Sequence, residues 1–209
     1  MKTKLTKALP NIITISRIVA LILGFIFFMR DNFFISIIFY IYGAVSDAFD
    51  GYFARKFDAY SKLGQYLDGI SDKLYLLSII IISIIHKNYL IIIPLVLEVI
   101  ISIINYQIIK VRKRVYTERI GKIKMNVEIV TMIIALLSIK YHALYYIFVV
   151  LLILTVYFQV QCIIAYINQK NNKSKEVVVN FKGKKITERI KLLLEEFFHY
   201  LIHPIKIIK

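Results

Sequence analysis

Long apolar runs separated by short polar breaks dominate this chain. The longest runs cover 12–29, 63–85, 89–109 and 141–167, and the last of them contains no Asp, Glu, Lys or Arg. An α-helix rises about 1.5 Å per residue, so ~20 apolar residues cross a hydrocarbon core ~30 Å thick. The pattern therefore predicts membrane-spanning helices rather than the core helices of a soluble protein.

The polar breaks divide the chain into six predicted spans, which cover 12–29, 33–54, 63–85, 89–109, 120–139 and 143–168. The predicted fold is an all-α membrane protein, a six-transmembrane-helix bundle with short cytoplasmic amphipathic segments. We expect one transmembrane domain over 1–169 and a basic amphipathic cytoplasmic tail over 170–209. Within that tail, 186–200 is too charged to cross the bilayer, so we expect it to lie as an amphipathic helix on the membrane surface.

Composition and charge narrow the class further. The chain is 59% apolar, against about 45–50% in an ordinary soluble domain, and this excess excludes a soluble enzyme. The single cysteine, Cys162, excludes an intrachain disulfide.

The basic residues predict an orientation. The net charge is +15, and 23 of the 28 Lys and Arg residues fall at the N-terminus, in 55–62, in 110–124 and after 169. Because basic residues favour cytoplasmic loops, both termini and the 55–62 loop are predicted to be cytoplasmic. In a membrane protein this charge is expected to meet the anionic headgroups of the lipid bilayer, and we predict no nucleic-acid partner.

Four aspartates lie inside predicted spans, where charged groups are costly and usually functional. Asp47 and Asp50 are three residues apart on the second helix, and Asp68 and Asp72 are four apart on the third, so each pair shares a helix face. A short loop joins the two helices. Counting outward from it places Asp50 opposite Asp68 and Asp47 opposite Asp72, in two layers about one helical turn apart.

Such a set of carboxylates is expected to bind hard divalent cations. Four facing carboxylates cannot all stay ionised in a low dielectric without cations. Oxygen ligands suit Mg²⁺ or Mn²⁺, and without His or Cys beside them zinc is disfavoured. Two such ions would clamp a diphosphate and stabilise charge during displacement at phosphorus. The alternative is a structural salt-bridge network in which Lys73 and Arg55 neutralise the carboxylates.

The residues around the acids favour the ligand site. Small residues let helices approach closely and leave room for phosphates; they are Gly51, Ala54, Gly64 and Gly69. Arg55 ends the second predicted helix, where a guanidinium can bind phosphate oxygens in a bidentate manner.

Together these positions resemble a known family. The motif Asp47-x2-Asp50-Gly51-x2-Ala54-Arg55-x8-Gly64-x3-Asp68-x3-Asp72 is similar to the signature of the CDP-alcohol phosphotransferases. With eight fixed positions in 26 residues, the probability of a chance match at a given starting residue is ~10⁻¹⁰. The resemblance covers residues 1–168. It implies a six-helix bundle, usually a homodimer, with a cytoplasmic active site. The Ile-, Lys- and Asn-rich composition suggests a bacterial source, and hence the plasma membrane.

The resemblance also implies a reaction. A hydroxyl of a polar alcohol acceptor attacks the β-phosphorus of CDP-diacylglycerol, and CMP leaves. Two Mg²⁺ or Mn²⁺ ions would be held by Asp47, Asp50, Asp68 and Asp72, with Asp72 also the general base. The residues expected to bind the CDP-lipid are Gly51, Ala54, Arg55, Gly64, Asn11 and Thr14.

Three shorter motifs resemble phosphatidylglycerophosphate synthases within that family; they are Pro10-Asn11-x2-Thr14-x2-Arg17, Leu67-Asp68-x3-Asp72-Lys73 and Gly121-Lys122-x-Lys124. They imply glycerol 3-phosphate as the acceptor. Those synthases usually carry Arg-Glu on the fourth helix, whereas this chain has Leu97-Glu98. The acceptor phosphate is therefore expected to bind among Arg112, Arg119 and Lys122. Alternatively, these three residues only set the membrane topology and contact lipid headgroups.

Several alternatives stay open at this point. The same chemistry could use phosphatidylglycerol, as in cardiolipin synthase, or inositol phosphate or serine as acceptor. The non-enzyme alternative is a cation transporter, because intramembrane carboxylates also line transport paths. One acid cluster, no internal repeat and a single proline within the spans, Pro94, argue against transport. Asn11 and Thr14 could instead form the N-cap of the first helix.

Overall fold

The computed structural model describes residues 4–57, 62–112, 119–171 and 186–205, and over these ranges it is helical without a strand. The elements are α1 (Lys4–Met29), α2 (Phe33–Phe57), α3 (Lys62–Ile85), a 3₁₀ turn (Tyr89–Ile91), α4 (Ile92–Arg112), α5 (Arg119–Lys140), α6 (Leu144–Lys170) and α7 (Ile186–Ile202). Residues 58–61 of the predicted 55–62 loop, the middle of the basic 110–124 segment and the linker before α7 lie outside the described residues.

Each predicted span corresponds to one of the helices α1 to α6. Among the described residues, the stretches long and apolar enough to cross a membrane are Ala8–Met29, Tyr89–Ile108 and Leu144–Lys170, with a shorter apolar stretch at Phe33–Asp47. The chain is therefore an all-α protein with membrane-spanning helices. The remaining long helices carry the acidic and basic side chains of the predicted site, which lower their hydropathy.

The first helix begins earlier than expected. It starts at Lys4 rather than at residue 12, so Pro10, Asn11 and Thr14 lie inside α1. The N-cap alternative for Asn11 and Thr14 is therefore wrong, because an N-cap precedes the first helical turn. A proline inside a helix cannot donate a backbone hydrogen bond. One turn later, Thr14 Oγ1 lies 3.0 Å from the carbonyl oxygen of Pro10.

The described residues form two compact units. The first contains α1, α2, α3 and Met132–Tyr145, and in it α1 packs along both α2 and α3. The approach of α1 to α2 is close at Gly24, whose carbonyl accepts a hydrogen bond from Ser36 Oγ at 2.7 Å. A Cβ placed on Gly24 would lie only 3.1 Å from Phe39 Cβ. The missing side chain therefore sets the distance between these two helices.

The second unit contains Leu90–Thr131 and the chain from Tyr146 onward. Its buried apolar cluster is formed by Ile101, Ile108, Ile120, Ile123, Phe158, Cys162, Ala165 and Tyr166.

The predicted tail helix is present as α7 and packs against this cluster. The ring of Phe197 lies 5.1 Å from that of Phe158, and Tyr157 Oη donates to the carbonyl of Tyr200 at 2.9 Å. Other apolar side chains of α7 are exposed; these are Ile190, Leu194, Phe198 and Ile202.

Candidate active site

Four carboxylates converge on one guanidinium in the first unit. Helix α2 supplies Asp47 and Asp50, α3 supplies Asp68 and Asp72, and α1 places Arg17 among them. Arg17 Nη1 contacts Asp47 Oδ1 and lies 3.5 Å from Asp72 Oδ1. Arg17 Nη2 lies 3.0 Å from Asp50 Oδ2 and 2.6 Å from Asp68 Oδ1. Three helices therefore build one site.

The two layers expected from the spacing are present. One nitrogen of the guanidinium contacts Asp47 and Asp72, and the other contacts Asp50 and Asp68. These are the pairs predicted by counting outward from the loop between α2 and α3. The agreement follows from helix periodicity, because residues three or four apart share a face.

The carboxylates differ in their access to the surroundings. The side chains of Asp50 and Asp47 are 10% and 20% exposed, whereas those of Asp68 and Asp72 are 51% and 52% exposed. The site is therefore covered on the α2 side and open on the α3 side. A Cβ built on Gly69, next to Asp68 on α3, would meet no described atom within 4 Å. A ligand can approach the carboxylates from this direction.

Thr14 contacts the most covered of the four carboxylates. Its Oγ1 lies 3.0 Å from Asp50 Oδ2, and the threonine is buried. The structure thus brings one residue predicted to bind the CDP-lipid into direct contact with the acidic cluster. Asn11 lies about one turn earlier on the same helix.

The other residues predicted to bind the CDP-lipid flank the cluster along α2 and α3. Gly51, Ala54 and Arg55 follow Asp50 in the last turns of α2, and Gly64 lies in the first turn of α3. They are therefore near the C-terminal end of α2 and the N-terminal end of α3, which residues 58–61 connect.

Arg17 is the site residue that sequence reasoning missed. It belongs to the motif that resembles the synthases, whereas the structural network considered from the sequence uses Lys73 and Arg55 as its cations. In the structure Arg17 makes ion pairs with all four aspartates. A lone arginine in an apolar helix was the available signal, because such a charge at membrane depth needs an acidic partner.

The donor set fits divalent metal binding. One carboxylate oxygen each from Asp47, Asp50 and Asp68 lies within 4.8 Å of the others. Hard oxygen donors of this kind suit Mg²⁺ or Mn²⁺. Four carboxylates gathered around one guanidinium also favour binding of further positive charge.

The basic residues expected to bind the acceptor lie in the second unit. Arg112 ends α4, and Lys122 is partly buried on α5. Arg119, at the start of α5, makes an ion pair with Glu196 of α7. It also lines a cavity of about 370 Å³ together with Glu195, Glu196, His199 and Tyr200.

A second charge cluster, in the second unit, joins Lys124 to Glu98 and Glu128. Lys124 Nζ lies 2.6 Å from Glu98 Oε2 and 3.2 Å from Glu128 Oε2. Gln159 Nε2 donates to the carbonyl of Pro94 at 3.0 Å and lies 3.5 Å from Glu128 Oε1. Glu98 therefore pairs with a lysine of α5, although α4 carries Leu97 in place of arginine.

Comparison with known proteins assigns the class. The profile of the CDP-alcohol phosphatidyltransferase family matches residues 7–179, and the chain belongs to this family. The match confirms the resemblance carried by the aspartate motif.

The names of individual relatives also state an acceptor alcohol. A CDP-diacylglycerol–glycerol-3-phosphate 3-phosphatidyltransferase of Rickettsia felis is 28% identical over 154 residues, covering 70% of this chain and 84% of the relative. An enzyme of the same name from Aquifex aeolicus is 32% identical over 66 residues, 32% of this chain and 37% of the relative. A CDP-diacylglycerol–inositol 3-phosphatidyltransferase of Candida albicans is 34% identical over 82 residues, 39% of this chain and 35% of the relative.

Proposed function

We propose that this protein transfers a phosphatidyl group from CDP-diacylglycerol to glycerol 3-phosphate and releases CMP, a step of phospholipid biosynthesis. The observation that carries the proposal is the convergence of Asp47, Asp50, Asp68 and Asp72 in a member of this family. The acceptor is supported by the Rickettsia felis relative, whose match extends over 70% of the chain.

The four aspartates would hold Mg²⁺ or Mn²⁺, with two ions as the proposed number. When bound, such ions neutralise the diphosphate and stabilise the charge that develops on the departing CMP. Thr14 holds the carboxylate of Asp50 in place through its hydroxyl. The covered pair on α2 would fix the nucleotide half of the substrate, and the open pair on α3 would face the acceptor.

Asp72 is the proposed general base. A base must reach the acceptor hydroxyl, and Asp72 is half-exposed on the open side of the site. Its contact with Arg17, at 3.5 Å, is the longest of the four ion pairs. The carboxylate is therefore free enough to accept a proton from an alcohol that approaches along α3. Gly51, Ala54, Arg55, Gly64 and Asn11 are proposed to contact the CDP-lipid, and Arg112, Arg119 and Lys122 the acceptor phosphate.

In the membrane, we propose that α1 to α6 are six spans, with both termini and the active site on the cytoplasmic face of the plasma membrane of a bacterium. Helices α2, α3 and α5 contain 25, 24 and 22 residues. Each is long enough to cross a core of ~30 Å at about 1.5 Å per residue. The charge distribution supports the orientation. A homodimer is proposed on the family resemblance alone.

An acceptor assay tests the proposal directly. Purified protein with CDP-diacylglycerol and Mg²⁺ is offered glycerol 3-phosphate, inositol phosphate, serine or phosphatidylglycerol separately, and CMP release is measured. We expect release with glycerol 3-phosphate and none in excess EDTA. Release with another acceptor alone would reassign the acceptor, and release undiminished by EDTA would contradict the metal-dependent chemistry. Absence of release with all four acceptors would contradict the proposed set of acceptors.

A further inference from the structure

Arg17 lies at the point where the four carboxylates meet. Its side chain is 3% exposed, and both terminal nitrogens are used by aspartates. Its Nε is buried and has no hydrogen-bond partner within the described part of the chain. A buried donor without a partner is unfavourable. The position of the guanidinium is therefore dictated by the carboxylates, and the surrounding helices do not satisfy all of its donors.

The guanidinium and a divalent ion are both cations that would bind the same carboxylates. Mg²⁺ binds carboxylate oxygens at about 2.0–2.1 Å, which requires the space directly in front of each oxygen. Nη2 of Arg17 lies 2.6 Å from Asp68 Oδ1 and 3.0 Å from Asp50 Oδ2, and so occupies the space in front of one oxygen of each carboxylate. Like charges at such separations also repel strongly in a medium of low dielectric constant.

We infer that Arg17 is a resident counter-cation of the aspartate cluster, which holds the four carboxylates together and competes with divalent ions for them. The inference rests on the metal-dependent reaction proposed above. It assigns Arg17 as a positioning residue, not as a residue that touches the substrate. Metal binding then requires the guanidinium to leave at least some of its carboxylate partners.

This role predicts the direction in which metal affinity changes when Arg17 is lost. If Arg17 only supported the architecture of a metal site, its loss would weaken metal binding. As a competitor, its loss must strengthen metal binding while it destabilises the protein without metal. The two interpretations therefore differ in the direction of one measurable constant.

The test measures Mn²⁺ binding to the full-length protein in detergent by the electron paramagnetic resonance signal of free Mn²⁺. Arg17→Gln removes the charge and keeps a polar side chain, and Arg17→Lys keeps the charge but contacts fewer oxygens. Arg30→Gln is the matched control, because Arg30 is exposed in the turn between α1 and α2. We expect Mn²⁺ to bind at least about tenfold more tightly to Arg17→Gln and equally to Arg30→Gln. Arg17→Lys should fall between wild type and Arg17→Gln.

Thermal unfolding provides the second measurement. In excess EDTA, Arg17→Gln should unfold at a lower temperature than wild type, because four carboxylates then face one another without the guanidinium. Saturating Mn²⁺ should raise its Tm more than that of wild type, since a tighter ligand stabilises the folded state more at equal concentration. Equal Tm shifts in the two proteins would overturn the inference.

The outcomes separate this inference from the proposed function. Wild type that binds Mn²⁺, together with a folded Arg17→Gln that binds it equally or more weakly, overturns the role of Arg17 and leaves the metal-dependent reaction intact. If neither protein binds Mn²⁺, the proposed metal site is wrong and the inference fails with it. Should Arg17→Gln not fold, Arg17→Lys decides, and binding no tighter than wild type counts against competition.

Discussion

At the scale of single residues, the four aspartates are not equivalent. Asp50 is the most covered and also receives the hydroxyl of Thr14, whereas Asp72 is half-exposed and only loosely paired with Arg17. A carboxylate fixed by neighbours suits a metal ligand, and one open to the surroundings suits a proton acceptor.

Asp72→Asn is expected to abolish turnover and to leave the fold intact. The amide has the shape of the carboxylate but cannot accept the acceptor's proton, and loss of a general base costs roughly 10²–10⁴-fold in rate. CMP release measures the rate, and circular dichroism with size-exclusion chromatography measures the fold. Asp31→Asn is the matched control, because Asp31 is exposed in a turn at φ 59°, a conformation that asparagine tolerates. Equal losses in both variants would contradict the assignment of Asp72.

Thr14→Val is expected to weaken Mn²⁺ binding and CMP release by several-fold. The substitution keeps the shape but removes the hydroxyl that lies 3.0 Å from Asp50 Oδ2. A single such hydrogen bond contributes about 0.5–1.5 kcal/mol, or up to roughly tenfold in a constant. Thr14→Ser retains the hydroxyl and should restore both values, and a serine variant as impaired as the valine variant would argue for a purely steric role.

At the scale of helices, the packing of α1 on α2 depends on small residues. Gly24→Ala should destabilise the protein by about 1–3 kcal/mol, since the new methyl group would press on Phe39 Cβ at 3.1 Å. Gly69→Ala provides the opposite case, because a Cβ there meets nothing within 4 Å and alanine is the better helix former. Thermal unfolding in detergent should show a fall in Tm for Gly24→Ala alone. A similar fall in both would contradict the role of the Gly24–Phe39 contact, because helix propensity alone would raise Tm in both variants.

The attachment of α7 predicts another matched pair of variants. Phe197 packs on the buried Phe158, whereas its neighbour Phe198 is 57% exposed. Phe197→Ala should therefore loosen α7 by about 2–4 kcal/mol, while Phe198→Ala should change little. Limited trypsin digestion at the lysines of 173–185 should release α7 faster from Phe197→Ala. Equal release from both variants would contradict the docking of α7 through Phe197.

The helices and the aspartate pairs could be predicted from the sequence, but the cation between them could not. Apolar runs indicate helices because the bilayer sets their length, and i, i+3 and i, i+4 spacings place side chains on one face. The contacts of Arg17 with the aspartates depend on how α1 packs against α2 and α3. The spacing of residues within one helix does not predict that packing. The early start of α1 does not follow from the apolar pattern, because Lys4 and Lys7 interrupt that pattern before residue 12. Pro10 also suggests a helix that begins near residue 10, since proline is favoured at the first helical position.

At the scale of the whole molecule, the uneven charge predicts a topology that can be tested. Six spans with cytoplasmic termini place the turn at residues 86–88 on the far side of the membrane. Alkaline phosphatase, which is active only outside the bacterial cytoplasm, should be active when fused after Asn88 and inactive when fused after Lys209. A fluorescent protein fused after Lys209 should fluoresce. Activity of the phosphatase at Lys209 would exclude an even number of spans with a cytoplasmic N-terminus.

The unequal cover of the two aspartate pairs has a consequence for how such a site can diversify. One wall, on α2, is shielded and tied to α1 through Thr14 and Arg17, so substitutions there disturb several contacts at once. The other wall, on α3, carries the half-exposed Asp68 and Asp72, and a Cβ on Gly69 would meet nothing within 4 Å. In the proposed reaction, the shielded wall binds the nucleotide half of the CDP-lipid, which is the same whichever alcohol is the acceptor. New alcohols can therefore be selected by changes along α3, without rebuilding the part of the site that every variant must keep.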